Sequence, residues 1–361
     1  MKFLLVFLLL PFYCLGQSAK EEDFTLNAVF TGFSDGTKFY LSSLGSSNLT
    51  DSSTLNDGKV SFNGKVSEPT IFRLQTSKGL YTTIWVEKGS WKLSGDSTHF
   101  KDIKVLNSKL NDDFRKIDDQ LDPLYHKAEE LFNNASKETD KEIQKQRYKE
   151  HVLFSDSIDN VRIANLFTLE PTYPLMQELY FLRNTLSKDS LNLAYNRFPD
   201  QIKNSDNGQY IYRFLETNLL AVGDIAPDIK GKTIDGDLLS LSDYRGKVVL
   251  LDFWAGWCGP CRDSNKQLVA LYNEYKNKGF EIFSFNMDTK FDAWDRASKA
   301  DGITWSNVSD LLGHYSPEVL KYRVQAIPRA YLISQDGKIL KIIKGYSEKN
   351  HEMILEYLHK L

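Results

Sequence analysis

The sequence predicts a C-terminal α/β domain, with a mixed central sheet flanked by helices, preceded by a small antiparallel β-domain and a helical linker domain. Three observations predict it. From about Asp23 to Asp102, apolar and polar residues alternate between frequent turn signals. From about Val105 to Leu220, apolar residues recur at helical spacing, and beyond Val222 strand-like and helix-like stretches take turns. A chain of 361 residues also exceeds what one hydrophobic core usually serves.

The boundaries expected are 1–16 for a leader, 23–104 for the β-domain, 105–220 for the helical domain and 222–361 for the α/β domain. Hydrophobic residues at 41% and charged residues at 26% describe a globular protein. A net charge of −3 supplies no basic field, which sets nucleic acid aside as a partner. No cofactor is indicated. The six histidines are scattered and show no metal-ligand spacing, so no metal is expected.

Lys2 followed by an apolar run from Phe3 to Leu15 fits a secretory leader cleaved before Gln17. The run is shorter than the ~20 residues a membrane span needs, although a short anchor is the alternative. Phe12 and Tyr13 before Cys14 argue against a lipoprotein signal. The expected location is therefore the periplasm or cell envelope, with membrane attachment left open. Loss of Lys2 leaves 44 basic against 48 acidic residues, a net −4. Loss of Cys14 leaves Cys258 and Cys261 alone.

In the β-domain, Phe24, Leu26, Ala28 and Phe30 mark a half-buried strand. Turn signals stand at Asp35-Gly36, Asp57-Gly58, Asn63-Gly64, Lys78-Gly79 and Lys88-Gly89, with Thr70–Leu74, Tyr81–Val86 and Trp91–Leu93 as strands between them. Phe62, Phe72, Trp85 and Trp91 are expected in the core, a ligand groove being the less favoured use. In the helical region Leu124, Ala128, Leu131, Phe132 and Ala135 share one face. The charged stretch Ser136–Glu150 reads as a solvated helix or its turn, and Pro171, Pro174 and Pro199 exclude one long coiled coil.

The α/β domain opens with a hairpin around Asp235-Gly236. The apolar run Val248–Phe253, interrupted only by Asp252, reads as a buried parallel strand. A helix at Arg262–Lys276, a strand at Phe280–Phe285 and a helix near Phe291–Ala300 follow. Ala330–Ile333 and Ile339–Ile343 flank Asp336-Gly337, and an amphipathic helix carries Ile354, Tyr357, Leu358 and Leu361.

The chemistry lies where strand gives way to helix, at Trp254-Ala255-Gly256-Trp257-Cys258-Gly259-Pro260-Cys261. A helix N-terminus favours a thiolate at Cys258, and the thiolate is the attacking form in disulfide exchange. Three residues on, Cys261 stands one turn along the helix, within reach of a mixed disulfide at Cys258. Pro260 is tolerated in the first turn. Half of a zinc site would need two further ligands, and inert buried thiols do not suit a helix start. In an apolar strand the Asp252 carboxyl is expected to titrate near neutrality, a hydrogen-bonded structural role being the alternative.

D-F-W-A-G-W-C-G-P-C at 252–261 resembles the active-site signature of the thioredoxin superfamily. Residues Val222–Leu361 as a whole are similar to its exported TlpA/ResA-like branch, through G-D-I-A-P-D (223–228), L-S-D-Y-R-G-K (241–247) and A-I-P-R-A-Y-L-I-S-Q-D-G-K (326–338). Residues 24–102 with the helical segment resemble the lipoprotein-type β-domain of unknown function that precedes such domains in Gram-negative bacteria. The resemblance implies a thioredoxin fold with Cys258 as nucleophile and Cys261 as resolving thiol. It implies a cis bond at Ile327-Pro328 that presents backbone to substrate, and Asp252 as the buried carboxylate that assists proton transfer. Trp257, Gly259, Pro260, Ile327 and Arg329 are expected to contact substrate, and Trp254 to pack.

The chain departs from close relatives at Ser264 and Lys266, where they carry Glu and Pro, so neither an acidic feature nor a helix kink is implied there. Arg329 replaces a small polar residue and points to acidic substrates. The insert Thr289–Lys321, with Trp294, Trp305 and His314, is expected to shape partner choice, His314 being a surface or core residue. No P-x-x-x-T-x-x-C peroxidase motif surrounds Cys258.

The resemblance implies a thiol-disulfide oxidoreductase of the cell envelope that reduces protein disulfides, in a setting such as cytochrome c biogenesis. Its partners would be a disulfide-bearing envelope protein and a membrane electron donor. A disulfide oxidase or isomerase is the alternative within the enzyme class. A non-enzymatic envelope adaptor working through the β-domain is the alternative outside it. Oligomeric state is not encoded legibly.

Overall fold

The computed structural model describes residues 21–44, 49–345 and 347–359. The leader expected at 1–16, with Lys2 and Cys14, lies outside the described residues. The chain divides into two compact units, Met1–Asn111 and Asp112–Leu361.

The first unit holds strands β1 (Glu22–Thr31), β2 (Lys38–Ser43), β3 (Leu49–Thr54), β4 (Lys59–Val66), β5 (Thr70–Thr76), β6 (Tyr81–Val86), β7 (Gly89–Asp96) and β8 (Lys104–Leu106). They form two four-stranded sheets, ordered β4-β1-β7-β8 and β3-β2-β5-β6. Alternate residues of β1, namely Phe24, Leu26, Ala28 and Phe30, are buried against Phe39, Leu41, Phe72 and Leu74 of the other sheet. Phe62 and Trp85 are also buried.

Two details differ from the sequence reading. β1 runs parallel to β7, while the other described ladders of this unit are antiparallel. Asn63-Gly64 makes no turn but lies within β4. A Cβ at Gly64 would stand 2.6 Å from the Phe24 ring, so close packing and not chain reversal requires this glycine.

Helix α1 (Lys109–Ser136) starts just before the boundary and runs into the second unit, followed there by α2 (Lys141–Thr168), α3 (Tyr173–Leu182), α4 (Lys188–Asn196), α5 (Asp200–Lys203) and α6 (Asp206–Glu216). Asp140 caps α2 by accepting from the backbone N–H groups of Glu142 and Ile143, which ends the connection inside the charged stretch. Pro123 lies within α1, which continues through it. Phe132 is exposed, with its ring edge-on to Tyr148 and His151, so the expected apolar face is incomplete there.

The remaining elements are β9 (Lys230–Thr233), β10 (Leu238–Ser240), β11 (Val248–Trp254), α7 (Gly259–Tyr275), β12 (Phe280–Asn286), α8 (Phe291–Asp301), β13 (Ser306–Ser309), α9 (Pro317–Lys321), β14 (Arg329–Ile333), β15 (Ile339–Lys344) and α10 (Glu348–Leu358). They build a seven-stranded sheet in the order β10-β9-β13-β12-β11-β14-β15. β11, β12 and β13 are parallel, and β14 and β15 are antiparallel to their neighbours. Every residue of β11 and β12 is buried, including the polar Asp252, Glu281, Ser284 and Asn286 among the apolar ones.

Side chains alternate between the two faces. Val249, Leu251 and Phe253 join a core with Trp294 and Val319, whereas Val248 and Leu250 pack against Leu268, Leu271, Ile354 and Leu358 of α7 and α10. Leu320 at the end of α9 is buried among the helices of the first part of the unit, beside Leu179 and Ile211. No described helix is long and apolar enough to cross a membrane.

Candidate active site

β11 runs between β12 and β14 inside the sheet, and from its end the chain turns through Ala255, Gly256 and Trp257 before Cys258 caps α7. The backbone N–H of Cys261 donates to Cys258 Sγ at 3.2 Å, so sulfur fills the acceptor place of an ordinary N-cap side chain. Pro260 occupies the first turn, where its missing N–H costs no helical bond. Cys258 and Cys261 are joined as a disulfide, with Cα atoms 5.2 Å apart. Both are buried, whereas Trp257 is 61% exposed and Gly259 and Pro260 are open to solvent. When the bond is reduced, the N–H groups at the helix start favour negative charge on Cys258 Sγ.

Carboxylates outside the motif fix this turn. Gly256 N–H donates to Asp288 Oδ2 at 2.7 Å, and Asn286 Nδ2 donates to the same oxygen at 2.8 Å. A Cβ at position 256 would meet Ala297 Cβ at 3.0 Å and the Ala293 carbonyl oxygen at 3.2 Å, so only glycine fits without displacement. Arg262 donates to the Asp301 carboxylate and, at 3.3 Å, to the Gly256 carbonyl oxygen. Asn265 Nδ2 reaches the same Asp301 oxygen at 2.9 Å. One buried acid on α8 thus ties the first turns of α7 to the cysteine turn.

Asp252 is buried and shares its sheet face with α7. Its register neighbour on β12 is Ser284. Trp305 Nε1 donates to Ser284 Oγ at 2.7 Å, and the Ser284 hydroxyl donates to Asp252 Oδ2 at 3.5 Å. Burial pushes the Asp252 carboxyl up to about 7, with the Ser284 hydroxyl opposing the shift.

The Ile327–Pro328 bond is cis. Arg329 opens β14 opposite Phe253, so the proline loop stands beside the end of β11 that leads to the cysteines. Trp254 is buried, and its Nε1 donates to Asn307 Oδ1 at 3.1 Å. Ser264 donates to the Pro260 carbonyl oxygen at 2.9 Å, and Lys266 pairs with Asp263 on the exposed side of an uninterrupted α7.

The insert expected to shape partner choice brings His314 to this rim, and the turn after α3, which the sequence reading did not connect with the site, meets it as well. The His314 ring lies 6.3 Å from that of Trp257. Burial, aided by the Arg183 guanidinium, holds the His314 imidazole below its ordinary value. Gln325, two residues before Ile327, donates from Nε2 to Asn184 Oδ1 at 3.0 Å. Arg183 and Asn184 follow α3, far away in sequence, and no local pattern marks them. Among the described residues no group of three or more His, Cys, Asp or Glu is placed to hold a metal ion.

Residues 222–342 match the AhpC/TSA family, and residues 24–114 match a domain of unknown function, DUF4369. The thiol-disulfide oxidoreductase ResA of Bacillus thuringiensis is 33% identical over 149 residues, spanning 41% of this chain and 83% of that protein. ResA of Bacillus subtilis is 30% identical over 155 residues, 42% of this chain and 83% of the relative. Among solved structures, the thioredoxin domain of a thiol-disulfide oxidoreductase from Bacteroides vulgatus is 29% identical, covering 38% of this chain and 99% of that one, with a TM-score of 0.36. With a disulfide-bonded Cys-x-x-Cys pair at the start of α7 and this degree of identity to ResA, the chain belongs to the ResA-like family of thiol-disulfide oxidoreductases.

Proposed function

We propose that the protein reduces disulfides of protein substrates in the cell envelope, cycling Cys258 and Cys261 between dithiol and disulfide. The observation that carries this reading is the Cys258–Cys261 disulfide at the start of α7, with Cys258 Sγ held by a backbone N–H and flanked by exposed Trp257, Gly259 and Pro260. The envelope location rests on the leader expected at residues 1–16, and cytochrome c biogenesis is the setting that the resemblance implies.

In the reduced protein, the Cys258 thiolate attacks one sulfur of the substrate disulfide. A Cys258–substrate disulfide forms and one substrate thiolate leaves. Asp252 takes the proton of Cys261, whose sulfur then attacks Cys258 Sγ. The Cys258–Cys261 bond forms and the second substrate thiolate departs. Two electrons pass from the dithiol to the substrate, and a membrane-embedded dithiol donor returns them. A carboxyl titrating near 7 suits the proton step, because it exchanges readily in both directions at neutral pH. Pro328 and Ile327 present backbone beside the disulfide, and Trp257 and Arg329 contact the substrate chain.

The test is reduction of insulin by the reduced protein, followed by trapping. Cys261→Ser is expected to accumulate a covalent mixed disulfide with substrate, visible on a non-reducing gel. Cys258→Ser is expected to form none. Equal trapping by both variants, or none by Cys261→Ser, contradicts the assignment.

A further inference from the structure

We propose that the helical segment forms part of the docking surface for substrate. The turn after α3, at Arg183 and Asn184, walls the approach to the disulfide between Trp257 and the Ile327–Pro328 loop. It receives a substrate segment that carries an acidic residue beside its cysteine. This deepens the disulfide-exchange reading and rests on it.

The turn meets the rim of the site at two places. At one, Arg183 acts on His314, whose ring neighbours that of Trp257. At the other, Asn184 Oδ1 accepts from Gln325 Nε2 at 3.0 Å, just before the proline loop. An aromatic brace holds the turn in place: the Tyr180 ring of α3 stacks on Tyr315 with centroids 5.3 Å apart and meets Tyr210 edge-on at 5.0 Å. The Arg183 guanidinium lies 4.1 Å from the Tyr180 ring centroid, and its Nη1 donates to the Tyr180 carbonyl oxygen at 2.6 Å. A planar cation fixed by stacking has lost its rotamer freedom before substrate arrives.

The charge pattern names the partner's chemistry. Among the described residues, Arg183, Arg323 and Arg329 have no carboxylate within ion-pair distance, unlike Arg262, which is paired to Asp301. Arg323 instead lies 3.8 Å over the Phe214 ring and donates to the Phe214 carbonyl oxygen at 3.2 Å. Three guanidinium groups without an ion-pair partner, at 183, 323 and 329, therefore accompany the loop that ends at Pro328, with Asp206 the acid that faces Tyr315 from α6. Such a rim attracts an acidic segment and repels a basic one, while exposed Trp257 supplies apolar contact near the cysteines.

The experiment uses the reduced full chain and three peptides, each closed by one disulfide and differing only in an Asp, Asn or Lys next to a cysteine. The Asp peptide is expected to exceed the Asn peptide in kcat/KM by about threefold at low salt, and the Lys peptide to fall short by about as much. Both gaps should close at high salt, as partly exposed charge pairs are screened. Arg183→Gln is expected to raise KM for the Asp peptide about threefold with little change in kcat, and Arg183→Lys, which keeps the charge but not the planar stack, to recover part of that loss. Asn184→Asp keeps the acceptor for Gln325 and adds a negative charge on an exposed residue, so it tests the idea even where Arg183 variants fold poorly. It should narrow the gap between the Asp and Lys peptides. Equal rates for all three peptides in the unsubstituted protein, or an unchanged gap between the Asp and Lys peptides in Asn184→Asp, overturns the docking proposal and leaves exchange chemistry intact. Failure to reduce any peptide overturns the reading on which it rests.

Discussion

Asp252→Asn offers a quantitative test of how the site stores its proton. In the unfolded chain the carboxyl ionises near pH 4, and in the folded protein burial raises it to about 7. Between those values the folded state binds one proton more than the unfolded state, so stability falls as pH rises through the window. The three pKa units involved correspond to about 4 kcal/mol, reached near pH 7 and constant above it. The amide of the variant cannot ionise and carries no such slope. Near pH 4 the variant should match the parent within about 1 kcal/mol, and by pH 7.5 it should be the more stable by several.

The assay is urea denaturation of the oxidised protein across pH 4–8, followed by tryptophan fluorescence, to which Trp254, Trp257, Trp294 and Trp305 of the second unit contribute. No carboxylate or cation other than Asp252 itself enters the balance: Ser284 on β12 is its hydrogen-bonding partner and Ala330 faces it on β14. Parallel stability curves for the two proteins would refute the reasoning. The same substitution should also slow substrate turnover near neutral pH, by about a hundredfold if proton transfer from Cys261 limits the cycle.

Two further substitutions probe the scaffold. Asp301→Ala removes the acceptor shared by Arg262 and buried Asn265, and should destabilise the second unit by about 2–3 kcal/mol in urea denaturation. Gly64→Ala drives a methyl group into the Phe24 ring and should destabilise the first unit by about 1–3 kcal/mol in calorimetry, with no change in the potential of the Cys258–Cys261 pair.

The active-site turn was legible in the sequence because its chemistry is local. A buried strand, a helix start and two cysteines three residues apart fall within one short stretch, and Pro260 agrees with the helix boundary at Gly259. Asp252 was legible as the one charge in an apolar run. The cis bond at Pro328 followed from family resemblance, since no local residue pattern dictates it.

What escaped was made by tertiary contact. Asn63-Gly64 has the composition of a turn, but its glycine is required by the Phe24 ring across the ladder. The β1–β7 pairing joins segments separated by five other strands, and strand periodicity carries no information about which neighbour is parallel. Pro123 would end a helix on local grounds, yet α1 continues through it. Arg183 and Asn184 reach the rim of the site because the helical segment packs against the insert, and single residues so far apart in the chain give no signal of that.

The most direct test of the central claim is the reduction potential of the Cys258–Cys261 pair, measured by equilibration of the purified protein with a glutathione or dithiothreitol couple. A reductase of protein disulfides predicts a value near the thioredoxin end, about −270 mV. A value near about −120 mV, where strong oxidants of exported proteins lie, would contradict it and assign the site to disulfide formation.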